Sequence, residues 1–328
     1  MAAKLADAAG AAPRVDAAGN VLAAFGPAAA ADRPAAIVAA HLDTVFAAGT
    51  PLRPRREGDR LLGPGIGDDS LAVAALVHLA RRLRAAPPAR PVVLAATVGE
   101  EGLGDLRGAR AVLDAVACDA FVALEGHGLE TIQIAGIASA RLVATATGPG
   151  GHSWGDRGTP SAVHVLVEAL HDAIQAAEPG HVNVGVVRGG TSINTIAASA
   201  EAEIDLRDVD DAALDRRRDA VEAALRRHGV AVARVGRRPG GATPADHPLV
   251  AAARAARAAA GLPAADETAS STDANAAMGR GVPAVCVSLT HGEGAHTLDE
   301  RIELGPLPAG LAAVEALTDA LAAGLSAG

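Results

Sequence analysis

Ala35-Ala36-Ile37-Val38-Ala39-Ala40-His41-Leu42-Asp43 is an apolar run that ends in an imidazole and a carboxylate. Ala35 to Ala40 reads as a short buried strand that delivers His41 and Asp43 to its C-terminal end. Positions i and i+2 of a strand point the same way. A metal-binding histidine usually gives its other ring N–H to a carboxylate, so Asp43 is the expected group to orient His41. Taken alone, such a triplet more often means only a surface pair.

Two later runs repeat the pattern. Pro91 to Val98 is rich in β-formers and leads into Glu100 and Glu101, and Phe121 to Leu124 is a short strand followed by Glu125. Three apolar strands therefore finish in acidic or histidine residues, and in open α/β sheets ligands gather at the carboxyl ends of strands. Between them, Gly63 to Gly67 forms a Gly/Pro loop. Asp68, Asp69 and Ser70 then precede a helix with apolar residues at Val73, Leu76, Val77, Leu79 and Leu83.

The chemistry of these residue types can be weighed one at a time. One carboxylate before a helix is ordinary capping. Two adjacent carboxylates repel unless cations or donors intervene. A carboxylate bridging two metals explains one of the pair, and capping by Asp69 or Ser70 can hold as well. In Thr97-Val98-Gly99-Glu100-Glu101-Gly102 the two glutamates face different directions at a strand end. One can hold a metal while the other faces a water, the ligand and general base of a metal hydrolase. The plain alternative is two solvated glutamates. Gly294-Ala295-His296-Thr297 offers a second imidazole, for which His291 competes. Two histidines and four or five carboxylates suit a two-metal site and disfavour calcium or iron–sulfur sites.

From about Ala140 to Gly240 the pattern changes. Arg141 to Thr147, Val182 to Val187, Ala200 to Arg207 and Val230 to Val235 read as strands, and Pro160 to Ala177 and Asp211 to Arg227 as helices. The order β-α-β-β-α-β is ferredoxin-like, a small α+β domain inserted into a larger α/β one. The expected division is residues 1–138 with 245–328 for the catalytic metal-binding domain, and 139–244 for the insertion. A helix from about Pro248 to Ala260, a strand from Ala284 to Leu289 and a helix from about Leu307 to Leu325 complete the chain.

The 328 residues suggest about two domains. The chain has a net charge of −9, 1% aromatics and no tyrosine. The charge argues against nucleic acid or an anionic membrane as a partner, and the missing tyrosine excludes any tyrosine acid or oxyanion donor. Cys118 and Cys286 sit in apolar stretches and read as buried, reduced thiols of a cytoplasmic protein. Lys4 and Asp7 interrupt any apolar leader, so no signal peptide is expected.

Six segments, in order, resemble the superfamily of dinuclear zinc metallopeptidases and deacylases that holds tripeptide aminopeptidases, acetylornithine deacetylases, glutamate carboxypeptidases and succinyl-diaminopimelate desuccinylases. They are His41-Leu42-Asp43-Thr44-Val45, Gly63 to Asp69, Gly99-Glu100-Glu101-Gly102, Gly150-Gly151-His152-Ser153, Ser271-Thr272-Asp273-Ala274-Asn275 and Ala295 to Glu300. The resemblance runs from about Val15 to the C-terminus. It implies a phosphorylase/hydrolase-like catalytic domain, a mixed sheet flanked by helices, with a lid that also dimerises. It implies two divalent cations, zinc first and cobalt or manganese as alternatives. His41 and Glu125 would hold one, Glu101 and His296 the other, and Asp68 would bridge them. Asp43 would orient His41, Glu100 would be the general base, and the Asp68–Asp69 peptide would be cis. His152 would stabilise the oxyanion, often in the partner subunit's site, while Asn194 and Arg207 would hold a substrate carboxylate. A surface ion pair with Asp205 or Asp208 is the plain alternative for Arg207.

Two departures stand out. Ser70 occupies a position where the superfamily often has lysine, and the N-terminal helix of most relatives is largely absent. The expected activity is hydrolysis of small peptides or N-acyl amino acids by a cytoplasmic homodimer. Glu125 points to carboxypeptidases and deacylases, whereas Gly99 to Arg110 points to tripeptide aminopeptidases. The competing classes are a non-catalytic scaffold of the same fold, which predicts a missing ligand or base, and a serine hydrolase built on Ser153, for which no G-x-S-x-G elbow exists.

Overall fold

The computed structural model describes residues 1–177 and 180–325. The chain divides into two compact units, Met1–Gly136 with Gly241–Gly328, and Ile137–Gly240. The longer strands, in chain order, are β1 (Val21–Phe25), β2 (Ala35–His41), β3 (Val92–Thr97), β4 (Cys118–His127), β5 (Thr131–Gly136), β6 (Ala138–Thr147), β7 (His181–Gly189), β8 (Ser199–Asp208), β9 (Ala231–Arg238) and β10 (Ala284–Thr290). The longer helices are α1 (Ala2–Ala9), α2 (Leu71–Ala85), α3 (Arg107–Ala115), α4 (Ala162–Ala176), α5 (Asp211–Arg227), α6 (Pro248–Ala259) and α7 (Leu307–Ala323).

The first unit is built on a mixed sheet. Four parallel strands lie in the order β3-β2-β4-β10. β1 pairs antiparallel outside β3, and β5 antiparallel outside β10. Parallel strands covered on both faces carry continuous apolar runs, and the alternation of β2 shows why. Ala36, Val38 and Ala40 join Leu94, Val122 and Leu289 against Leu5, Leu76, Leu79, Leu249 and Leu317 of the helices on one face. Ala35, Ile37 and Ala39 join Val93, Phe121 and Cys286 against Ala109 and Val112 of α3 on the other.

Several features differ from the expected pattern. The lead before β2 is structured: Leu5 and Ala8 of α1 are buried, and β1 buries Val21, Leu22, Ala23 and Phe25. An alanine-rich segment gives no periodic contrast, which hides both elements. β4 reaches His127 rather than stopping at Leu124, because Ser288 and Thr290 of β10 extend its pairing. Gly241–Ala242 pairs with β5, so residues 241–242 lie in the first unit rather than in the segment expected to end at 244.

In the second unit the antiparallel order is β7-β8-β6-β9. Ala140, Leu142 and Ala144 of β6 and Ala202, Ile204 and Leu206 of β8 form its core with Leu166 of α4 and Val221 and Leu225 of α5. The chain order is β-α-β-β-α-β. A short pair, Gly151–His152 with Thr195–Ile196, stands apart from this sheet.

Candidate metal centre

Strand register brings the first ligands together. His41 is level with Thr97 of β3, and Ala39 is level with Ala123 of β4, two residues before Glu125. His41, Thr97 and Glu125 therefore project from one face at the carboxyl ends of adjacent strands. His41 Nε2 lies 4.0 Å from Glu125 Oε2.

Asp68 and His296 arrive on loops tied to a small second sheet, in which Arg301–Glu303 pairs with Arg60–Leu62. The buried Glu300 accepts from the main-chain N–H groups of Gly65, Gly67 and Asp68 at 2.7–2.8 Å. It fixes the loop that carries Asp68. A Cβ on Gly126 of β4 would lie 2.2 Å from the Gly67 carbonyl oxygen, so this approach of loop to strand requires glycine. The Asp68–Asp69 peptide is cis.

The result is a carboxylate divided between two imidazoles. Asp68 Oδ1 is 2.9 Å from His41 Nε2, and Asp68 Oδ2 is 2.9 Å from His296 Nε2. Glu101 Oε1 is 3.3 Å from His296 Nε2, without meeting hydrogen-bond geometry. Three groups have ligand atoms mutually within 4.8 Å: His41 with Asp69 and Glu125, His41 with Glu100 and Glu101, and Asp68 with Glu101 and His296. His291, the competitor of His296, is held instead by Glu130 at 2.9 Å.

The electrostatics are those of acids crowded out of water. Burial, then Asp68 and Glu100, push Glu101 up to about 7. Burial also raises Glu125, reinforced by Asp68 and Glu100 and opposed by His41. Asp69 is raised by burial and by Glu125, and Asp273 by burial and Glu100 to about 6. For His41, burial favours the neutral ring, but the Asp68 hydrogen bond and the surrounding carboxylates outweigh it and raise its pKa. Asp69 Oδ1, Glu101 Oε1 and Asp273 Oδ1 are buried without a hydrogen-bond partner. An excess of buried carboxylate oxygens over donors, with two imidazoles, is the donor set of divalent cations, and these residues fit such ions.

Two expectations need correction. The Asp43 carboxylate does not orient His41, since its Oδ1 is 3.9 Å from Nδ1. Instead the Asp43 main-chain carbonyl lies 2.9 Å from His41 Nδ1. The carboxylate is already occupied by the N–H groups of Gly99, Glu100 and Glu101, at 2.7, 3.1 and 2.9 Å. Neither Asp69 nor Ser70 caps α2 through its side chain, because the Asp69 carboxylate accepts from the main-chain N–H of His41 at 3.0 Å. The supporting roles of Asp69, Glu300 and Asp273 had no signal beyond acids inside recognised motifs. Asp273 accepts from Thr97 Oγ1 at 2.5 Å.

The remaining expected residues belong to the second unit. His152 lies on the short strand that pairs with Thr195–Ile196, next to Asn194, and Ser153 N donates to the Asn194 carbonyl at 3.0 Å. Arg207 donates from Nε to Asp205 at 2.7 Å, the ion pair weighed against its role in substrate binding.

An α/β fold whose parallel strands converge on this ligand set defines a metal-dependent hydrolase acting on amide bonds. The chain belongs to Peptidase family M20/M25/M40, whose model matches residues 37–320. No curated protein matches it by sequence. Solved structures share the fold. A tripeptidase from Staphylococcus aureus is 20% identical with a TM-score of 0.77, over 98% of this chain and 91% of that one. A metallo-carboxypeptidase of the M20 family from Sulfolobus solfataricus is 13% identical with a TM-score of 0.78, over 98% and 92%. An amidase of the hydantoinase/carbamoylase family from Burkholderia vietnamiensis is 19% identical with a TM-score of 0.73, over 99% and 89%. Among the described residues, no helix is long and apolar enough to cross a membrane.

Proposed function

We propose that the protein is a two-metal exopeptidase or N-acyl-amino-acid deacylase of small substrates, working as a cytoplasmic homodimer. The observation that carries this reading is Asp68, with one oxygen 2.9 Å from His41 and the other 2.9 Å from His296. That is the placement a carboxylate needs to bridge two cations. His41 and Glu125 would hold one ion, and Glu101 and His296 the other. Bound there, the cations supply Lewis-acid polarisation of the amide carbonyl and ease ionisation of water. Zinc fits the oxygen and imidazole donors, as do cobalt and manganese.

The chain's own groups then move the protons. Glu100 takes a proton from the attacking water as its oxygen joins the carbonyl carbon. The C–N bond breaks, and Glu100 hands the proton to the leaving nitrogen. Asp43, holding three consecutive N–H groups, sets the orientation of Glu100 and Glu101. His152 donates to the developing oxyanion. The supporting geometry is its ring nitrogen: Nδ1 faces the N–H groups of Trp154 and Gly155 at 3.2 Å each. Main-chain N–H groups can only donate, so Nδ1 accepts and the neutral ring carries its proton on Nε2. The second unit serves as lid and dimerisation domain, and Asn194 and Arg207 bind the substrate carboxylate, Arg207 through nitrogens other than its Asp205-paired Nε.

The test is a panel of unblocked tripeptides and N-acetyl amino acids on protein of measured metal content, with and without chelator. Chelator-sensitive turnover of one class, with two ions per chain, is expected. Turnover that survives removal of the ions would overturn the reading.

A further inference from the structure

We propose that Trp154 is a specificity-determining residue whose indole packs against an apolar side chain or acyl group of the substrate beside the scissile amide. This rests on the reading of His152 as the oxyanion donor.

The turn from His152 to Thr159 is closed by its own hydrogen bonds. His152 N donates to Asp156 Oδ2 at 2.7 Å, Asp156 N to the His152 carbonyl at 2.9 Å, and Thr159 N to the Asp156 carbonyl at 3.1 Å. Trp154 is fastened to the catalytic ring itself, because its N–H is one of the two donors to His152 Nδ1. Wherever His152 meets a substrate, and in whichever subunit, Trp154 arrives with it.

Its side chain is also held. The Arg157 guanidinium sits 5.3 Å from the ring centroid and donates from Nη1 to the Trp154 carbonyl at 3.3 Å. A cation at this distance is attracted to an aromatic face. The ring is nevertheless 74% exposed. Ile193, next to Asn194 in the turn that leads into the facing strand, is fully exposed. In a chain with 1% aromatics, an indole presented to water is an unused apolar surface beside the proposed oxyanion donor.

The size of the patch decides its occupant. The chain neighbours of Trp154 and Ile193, namely Ser153, Asp156, Arg157, Ser192 and Asn194, are exposed and polar. Two apolar side chains in a polar surround fall far short of the roughly 800 Å² per partner that a stable subunit contact needs. They match the wall of a small-ligand site, where apolar surface is joined by a few polar groups. The Arg157 cation next to the ring also suits a substrate carrying a carboxylate.

Trp154 is the chain's one tryptophan, and there is no tyrosine, so indole fluorescence reports this loop alone. The experiment uses metal-loaded Glu100→Gln protein, which holds substrate without cutting it. Its ligands are Leu-Gly-Gly, Gly-Gly-Gly, N-acetyl-leucine and N-acetylglycine, with binding followed independently by calorimetry. Saturation with the leucine ligand of the class the enzyme hydrolyses should shield Trp154 from acrylamide about twofold, with a blue shift, as the ring leaves water. In otherwise wild-type enzyme, Trp154→Ala should lower kcat/KM for the leucine substrate about tenfold through KM, and much less for its glycine counterpart. Trp154→Phe should recover part of the loss.

Binding of the leucine ligand with no change in shielding overturns the proposal. So does ligand-free emission that changes with protein dilution, which would place the ring between copies. His152→Ala separates the two levels. If it loses turnover while Trp154 stays unshielded, only the role of Trp154 falls. If it keeps full turnover, the His152 reading falls and takes the Trp154 inference with it.

Discussion

In the first unit most of the functional side chains are sunk among one another, while His296, on its loop, stays 55% exposed. His41 is 3% exposed, Asp69 1% and Glu100 6%, and acids outnumber the imidazoles that face them. In the second unit His152 stands on an exposed turn held by its own hydrogen bonds and by the bond from Ser153 N to the Asn194 carbonyl. The buried cluster lacks positive charge and is completed by cations. On the proposed reading the turn holds its own shape and would be completed by a substrate. A change in the cluster should therefore disturb ion binding or stability along with turnover, whereas a change on the turn should disturb turnover alone.

The sharpest break in that contrast is Glu100, a buried residue assigned to proton transfer rather than to holding ions. Glu100→Gln should lower kcat by about 100- to 10,000-fold and leave two ions per chain. Loss of an ion in elemental analysis would move Glu100 into the ligand set. His152→Ala comes next, at about 100- to 1,000-fold in kcat, with ion content unchanged and Tm nearly so, because the two N–H groups that the ring accepts from are exposed and water can replace it. A lowered Tm would show that the turn is not self-sufficient. Glu300→Gln probes the opposite side. It weakens the three contacts that fix the Asp68 loop, and ion affinity should fall about 10- to 100-fold, as when groups behind metal ligands are removed. Titration of the apoprotein with zinc measures it, and unchanged affinity would show that the loop holds its shape without Glu300.

The same contrast explains what the sequence made legible. β2, β3 and β4 could be read because apolar runs bounded by His41, Glu100 and Glu125 carry composition and chemistry together. β1 and α1 could not, since alanine serves helix, strand and loop alike. The metal ligands stood out as rare residue types at strand ends. The groups behind them did not. Asp43 was expected to work through its carboxylate, but which of two oxygens, main-chain or side-chain, meets a ring depends on a local turn that spacing does not record. Glu300 acts on a loop far away in the chain, through contacts set by pairing of the 60–62 and 301–303 strands.

The smallest effect expected is also the one that tests the charge argument most directly. Glu101 has an ordinary value of 4.5 and is raised to about 7. Asp273 moves the same way, from 3.8 to about 6. An acid whose folded pKa lies above its unfolded one binds its proton more tightly when folded. Its contribution to stability is full below the unfolded value and is lost as pH rises through the folded one. His41, also raised, has the same sign. Asp68 is lowered from 3.8, so its opposite contribution falls below this window. Protein stripped of ions should therefore melt at progressively lower temperature as pH rises from about 4.5 to about 7, the interval set by Glu101. Protein saturated with zinc should not, because bound cations answer the ionised carboxylates that otherwise repel one another. Parallel melting curves across that interval would mean that the acids are screened without ions, and that the cluster is not short of positive charge.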